Sequence, residues 1–191
     1  SGLSNVQTEI EIFSSIRSIT EQSLDPQMIM DFGAGSTKIY IVERGILRAS
    51  HIVNRGAQDI TLALSRSLNV SFDEAESIKK EKGIVQGLQN KEVSDISSIN
   101  LDFIFSETRR VLLEYQKKYN KNIGQVYLSG GGAALKGLRD VAEINLSVPI
   151  KIADPFSKVE YPAFLETILQ SVGPEFSVAV GLALRKLEQS E

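Results

Sequence analysis

Two glycine-rich loops, each placed directly after a short apolar run, constrain this chain more than any other feature of its sequence. The first lies in MIMDFGAGSTKIYIVERG, residues 28–45, and the second in VYLSGGGAALKGL, residues 126–138. Glycine inside a regular element costs ~1 kcal/mol relative to alanine, so such loops imply a backbone that must be bare or must take positive φ. Bare N–H groups gathered in a turn make a nest for anions. Phosphate binding at both loops is therefore the expectation, with two tight turns as the plain alternative. Neither loop matches the commoner nucleotide fingerprints. The order Lys136-Gly137 is reversed relative to a P-loop, and the chain continues past Gly33 and Gly35 as a strand where a dinucleotide fold would open a helix.

Around these loops the pattern predicts an opening helix over residues 8–20, a buried strand over 28–32, and a hairpin of 38–42 and 46–53 turning at Arg44-Gly45. A helix follows over 59–68. Ser71 and Glu74 then form a capping box for a second helix. Residues 83–100 are polar and support no assignment, whereas 101–119 describe a long helix. The second half alternates: a strand before the glycine triplet, a helix after it, a strand in VPIKIADPF, and a closing helix in PEFSVAVGLALRKL whose small residues suit tight packing. This order predicts an α/β sheet with helices inserted midway.

Composition removes several functions. Cysteine is absent, so disulfides and thiolate metal sites are excluded, and the single His51 sits in an alternating run where a half-buried or surface strand residue is expected. With 21 basic and 24 acidic residues and no block of either sign, nothing favours nucleic acid. No run of 18 apolar residues and no leader pattern appears, so the expectation is a cytoplasmic chain without direct membrane insertion.

An aspartate followed by a hydroxyl-rich glycine hairpin, D-F-G-A-G-S-T, resembles the second phosphate loop of the actin-like ATPase superfamily. The resemblance continues in order along the chain. EIEIFSSIRSI is similar to that superfamily's connecting helix, AESIK to the helix facing the nucleoside, and SGGG to its adenosine loop. VERGILRASHIVNRGAQDITLAL, IADPF and PEFSVAVGLALR most resemble the PilM branch of type IV pilus assembly proteins, with FtsA next. Ala34 and Ala57 stand where relatives often have glycine, and Ser129 where FtsA often has threonine.

The resemblance implies ATP and Mg²⁺ as ligands. It gives Asp31 a place near the metal, through water, and Glu11 a place near the attacking water. It also implies nucleotide contacts at Gly33, Ala34, Gly35, Ser36, Thr37, Gly56, Glu76, Lys79, Gly130, Gly131 and Gly132. Valine at position 132 would then block the ligand and leave the fold largely intact. A ribonuclease H-like α/β subdomain is expected over residues 1–59 and 123–191, with a mainly helical subdomain inserted over 60–122 and the first actin-like domain lying before residue 1. The implied function is a nucleotide-binding scaffold at the inner-membrane pilus platform. It would be at most a weak ATPase, inactive as an isolated half, meeting a PilN-like tail through the absent domain and other platform proteins elsewhere, and self-association stays open. The alternatives are an FtsA-like division adaptor, a sugar-kinase-type phosphotransferase, and an assembly module that has lost nucleotide. The acidic, polar ending RKLEQSE favours the pilus branch over an adaptor ending in a basic amphipathic helix.

Overall fold

The computed structural model describes residues 8–85 and 90–188. The last letters of RKLEQSE and part of the unassigned 83–100 segment lie outside them. Strands β1 (Gln27–Phe32), β2 (Thr37–Glu43) and β3 (Ile46–Val53) form the expected antiparallel meander. Its second turn is tight because Arg44 and Gly45 both take positive φ, 52° and 74°, the pair of left-handed residues that matches the twist of a two-residue hairpin. Strand β4 (Gln125–Ser129) adds to β1 in parallel and β5 (Ile150–Ile152) to β4, giving the order β3-β2-β1-β4-β5. The two glycine loops thus leave the carboxyl ends of adjacent parallel strands, the place where α/β sheets bind ligands.

Both sheet faces are covered, and the period-two alternation of strands sorts the residues. Met28, Met30, Phe32, Ile39, Ile41, Val126 and Leu128 pack on one face beneath α2 (Ala57–Leu68), α4 (Lys91–Tyr119) and α5 (Leu138–Leu146). Ile29, Tyr40, Val42 and Tyr127 pack on the other against Ile12, Ile16 and Ile19 of α1 (Glu11–Ile19). Helix α3 (Phe72–Lys82) opens as expected, with the Ser71 hydroxyl accepting from the Glu74 N–H. Helix α4 starts ten residues before its clear apolar stripe. Its buried face includes Ser97 and Thr108, whose hydroxyls bond the carbonyls of Val93 and Ile104 one turn back. Polar letters of that kind hide a buried helix face from a hydropathy pattern.

Helix α6 (Glu166–Glu188) also starts earlier than expected, running through Pro174. By length and composition alone Ala163–Lys186 would be able to cross a membrane. In the fold it lies on α1 through a seam of small residues, where the Ser18 hydroxyl donates to the Ser177 carbonyl at 2.7 Å and Arg17 to the Gly181 carbonyl at 2.9 Å. Arg17 also forms a bidentate pair with Glu9, at 2.9 Å to each oxygen, and Ser14 donates to the same carboxylate at 2.6 Å. Hydrogen bonds from Arg17, then Ser14, hold the Glu9 carboxyl well below its ordinary range, at about 2. A depressed carboxylate stabilises the fold above its unfolded-state range and loses that contribution as pH falls through the folded value. Glu9→Gln is therefore expected to be less stable than the parent at pH ~6 and to approach it as pH falls through ~3 toward ~2. Urea midpoints across that range check it, and a gap that persists in acid would contradict it.

Candidate functional site

The loop after β1 is built by two opposed sets of hydrogen bonds. Gly33 N–H closes the turn on the Ser36 carbonyl at 3.0 Å, while the carbonyls of Gly33 and Ala34 accept from Ala57 N–H and Gln58 N–H, each at 2.9 Å. Helix α2 thus has its first free donors capped by this loop. The N–H groups of Ala34, Gly35 and Ser36 have no acceptor among the described residues. Neither Gly33 nor Gly35 takes positive φ, and a Cβ on Gly35 would meet nothing. Of the two reasons for glycine in this loop, only bare backbone survives. Thr37 does not share the opening: it is buried, and its hydroxyl donates to the Arg55 carbonyl at 2.9 Å. Gly56 is likewise covered. A Cβ there would lie 2.4 Å from the Ala34 carbonyl oxygen, so its bareness serves the loop-on-helix contact.

The glycine triplet has a packing role that sequence reasoning missed. Gly130 takes φ of 82°, and its N–H donates to the Pro174 carbonyl in α6 at 2.9 Å. A Cβ on it would meet Asp31 Oδ1 at 2.4 Å, and one on the buried Gly132 would meet the Phe32 ring at 2.4 Å and the Phe32 carbonyl at 2.7 Å. The expectation that valine at 132 would block a ligand without harming the fold is therefore corrected, because the methyls would enter β1. Gly131 is exposed, and its Cβ would meet only the end of Glu175, at 3.2 Å. It is the member of the triplet that faces open space.

Glu76 and Lys79 stand one turn apart on α3. The Lys79 ammonium is buried and donates to the Ala57 carbonyl at 3.0 Å, Thr61 Oγ1 at 2.8 Å and Glu76 Oε2 at 2.7 Å. Its three donors are thus occupied, tying α3 to α2. Burial opposes the Glu76 charge, yet hydrogen bonds from Lys79 and Thr61 outweigh it and lower the pKa. Thr61 donates to Glu76 at 2.6 Å. No sequence signal marks it, since it lies a helix away.

Ala34, Ala57, Glu76, Lys79, Gly131 and Gly132 line one cleft of about 390 Å³, joined by Gln58, Phe72 and Glu175. Larger depressions around Arg44 and between α4 and α5 carry neither glycine loop. Asp31 and Glu11 belong to the opposite, α1-bearing side of the sheet. Burial raises the Asp31 pKa, the Lys38 charge lowers it and the Glu11 charge raises it. No described residue donates a hydrogen bond to Asp31, whereas Lys38, its cross-strand partner, forms an ion pair with Glu11. Tyr40 is pushed up to about 12 by burial and by those two carboxylates. Among the described residues no group of three or more metal-ligating side chains occurs.

The adjacent parallel strands β1 and β4 thus end in two glycine loops, with Asp31 near the end of β1. The sequence model of the cell division protein FtsA matches residues 28–181. The chain belongs to the FtsA family. FtsA of Borreliella burgdorferi (strain ATCC 35210 / DSM 4680 / CIP 102532 / B31) is 28% identical, over 86% of this chain and 43% of its own length. The chain therefore spans about half the length of the FtsA relatives it matches. Among solved structures, a PilM-PilN type IV pilus biogenesis complex superposes with a TM-score of 0.83 at 27% identity, over 96% of this chain and 54% of that one. MreB 5 of Spiroplasma citri bound to AMPPNP superposes at 0.70 over 95% of this chain and 60% of that one, with 14% identity, a likeness of fold alone. The fold is the actin-like ATPase fold, and the FtsA and PilM branches share it with this chain.

Proposed function

We propose that this chain is the nucleotide-binding second half of an actin-like protein that holds Mg-ATP and serves as a scaffold at the inner-membrane platform of a type IV pilus. The observation that carries the reading is the row of unengaged N–H groups at Ala34, Gly35 and Ser36, beside a cleft that Gly131 leaves open. Because α2 takes the loop's carbonyls, its amides are left for an anion. Glu76 and Gly131 would flank the nucleoside, and Lys79 would act by fixing Glu76. Mg²⁺, when bound, would offset phosphate charge, with Asp31 holding its water shell and Glu11 near the attacking water. Residues 60–122 would form the inserted helical subdomain, and the part of the protein matching the rest of its relatives would close the cleft and meet a PilN-like tail. The protein would work in the cytoplasm, peripheral to the membrane through its partners. The pilus assignment is supported by the likeness to the PilM structure. The family match favours a second reading, a division adaptor of FtsA type using the same cleft.

Saturating Mg-ATP, at a hundredfold excess over Kd, stabilises a protein by ~2.7 kcal/mol. The full-length protein is thus expected to melt several degrees higher with Mg-ATP, and an unmoved midpoint would overturn nucleotide binding. Titration with a PilN-type tail peptide separates the two branches. Binding supports the pilus role, and no binding by a nucleotide-competent protein supports the adaptor.

A further inference from the structure

We propose that Thr61 is a positioning residue for the nucleoside end of the cleft, fixing which oxygen of Glu76 is presented to a sugar hydroxyl. The inference deepens the nucleotide reading and rests on it for the ligand. Thr61 lies on α2 and is fully buried, so it touches no ligand itself. Its hydroxyl donates to Glu76 Oε2 at 2.6 Å and accepts from the Lys79 ammonium at 2.8 Å. Lys79 donates to the same Oε2 at 2.7 Å. Two donors therefore converge on one carboxylate oxygen and fill its lone pairs. The other, Oε1, receives no hydrogen bond from the described residues; the Lys80 ammonium lies 3.6 Å away on a side chain that is 75% exposed.

The chemistry of this wall makes that oxygen selective. Of the α3 side chains lining the cleft, Phe72, Lys79 and Lys80 offer no acceptor, so Glu76 Oε1 is the one acceptor that the helix presents. Lys79 has all three protons engaged and has none to give a ligand. An ionised carboxylate only accepts, hence its partner must be a donor such as a ribose hydroxyl. Without the Thr61 hydroxyl, Lys79 alone is satisfied by either oxygen, and the carboxylate is free to turn away from the ligand.

The test is calorimetric titration of the full-length protein with Mg-ATP and with Mg-2′,3′-dideoxy-ATP, which lacks both ribose hydroxyls. Wild type is expected to bind ATP about tenfold more tightly than the analogue, the least that a hydrogen bond to a charged group is worth. Thr61→Val, which keeps the shape, should narrow that ratio to about twofold by weakening ATP alone, and Thr61→Ser should restore it. A purely structural role would weaken both ligands alike. Glu76→Gln gives an independent readout: Lys79 and Thr61 demand an acceptor at the inner position, so the amide turns its NH₂ outward and the preference for ATP is lost. A wild type that binds both equally, a Thr61→Val protein that loses both alike or keeps the ratio, or Glu76→Gln with full preference overturns the proposal and leaves nucleotide binding standing. No binding of either nucleotide by wild type overturns the nucleotide reading, and this inference with it.

Discussion

Gly181→Ala is expected to destabilise the chain by ~3 kcal/mol or more, at the upper end of the range for overpacking. A Cβ at this position would sit 1.9 Å from the Ser14 carbonyl oxygen and 2.5 Å from its carbon. Both partners are helix backbone, so no side-chain rotation relieves the overlap, and α6 has to move away from α1. That movement also stretches the Ser18–Ser177 and Arg17–Gly181 hydrogen bonds, which hold only at this separation. For a chain of this size each kcal/mol shifts the thermal midpoint by about 2–4 °C, so a fall near ~10 °C should appear in calorimetry. A midpoint within a degree or two of the parent would show that the helices do not cross here as closely as described.

Gly132→Val is expected to cost ~3 kcal/mol by a different route. Its methyls would meet the Phe32 ring and carbonyl at the end of β1, the strand that carries Asp31. Gly131→Ala is the control. Its methyl meets only the movable end of Glu175, so stability should stay close to the parent while the cleft narrows. Chemical denaturation of both variants separates the roles of neighbouring glycines. Equal stability of the two would mean that the triplet is a plain ligand loop, as the sequence suggested.

Much of this architecture is legible in the letters. The meander, the Arg44-Gly45 turn, the Ser71 cap and the two glycine loops are local signals, and each appears where its chemistry puts it. His51 is half-buried on β3, as alternation implied. What stayed hidden depends on contacts between distant segments. Gly56, Gly130 and Gly132 read alike as bare backbone, but which of them faces a neighbour or open space follows only from how β1, β4 and α2 meet. Thr37 and Lys79 carry the right chemistry for a ligand, yet Arg55 and Thr61 already hold their polar atoms. The sequence pattern places the closing helix from Pro174 onward; the structure starts α6 at Glu166, runs it through Pro174 and uses the Pro174 carbonyl as the acceptor for Gly130.

The capping of α2 by the loop after β1 has a mechanical meaning. Two hydrogen bonds join the carbonyls of Gly33 and Ala34 to the start of that helix, and the Lys79 ammonium bolts α3 to its first turn. The loop is therefore the short arm of a lever whose long arm is the helical block between β3 and β4. A tug of a fraction of an ångström on the loop's amides would swing the far ends of those helices through a larger arc. Hydrogen exchange along α2 and α3 should then report whatever seats itself against the loop, at a distance from any contact.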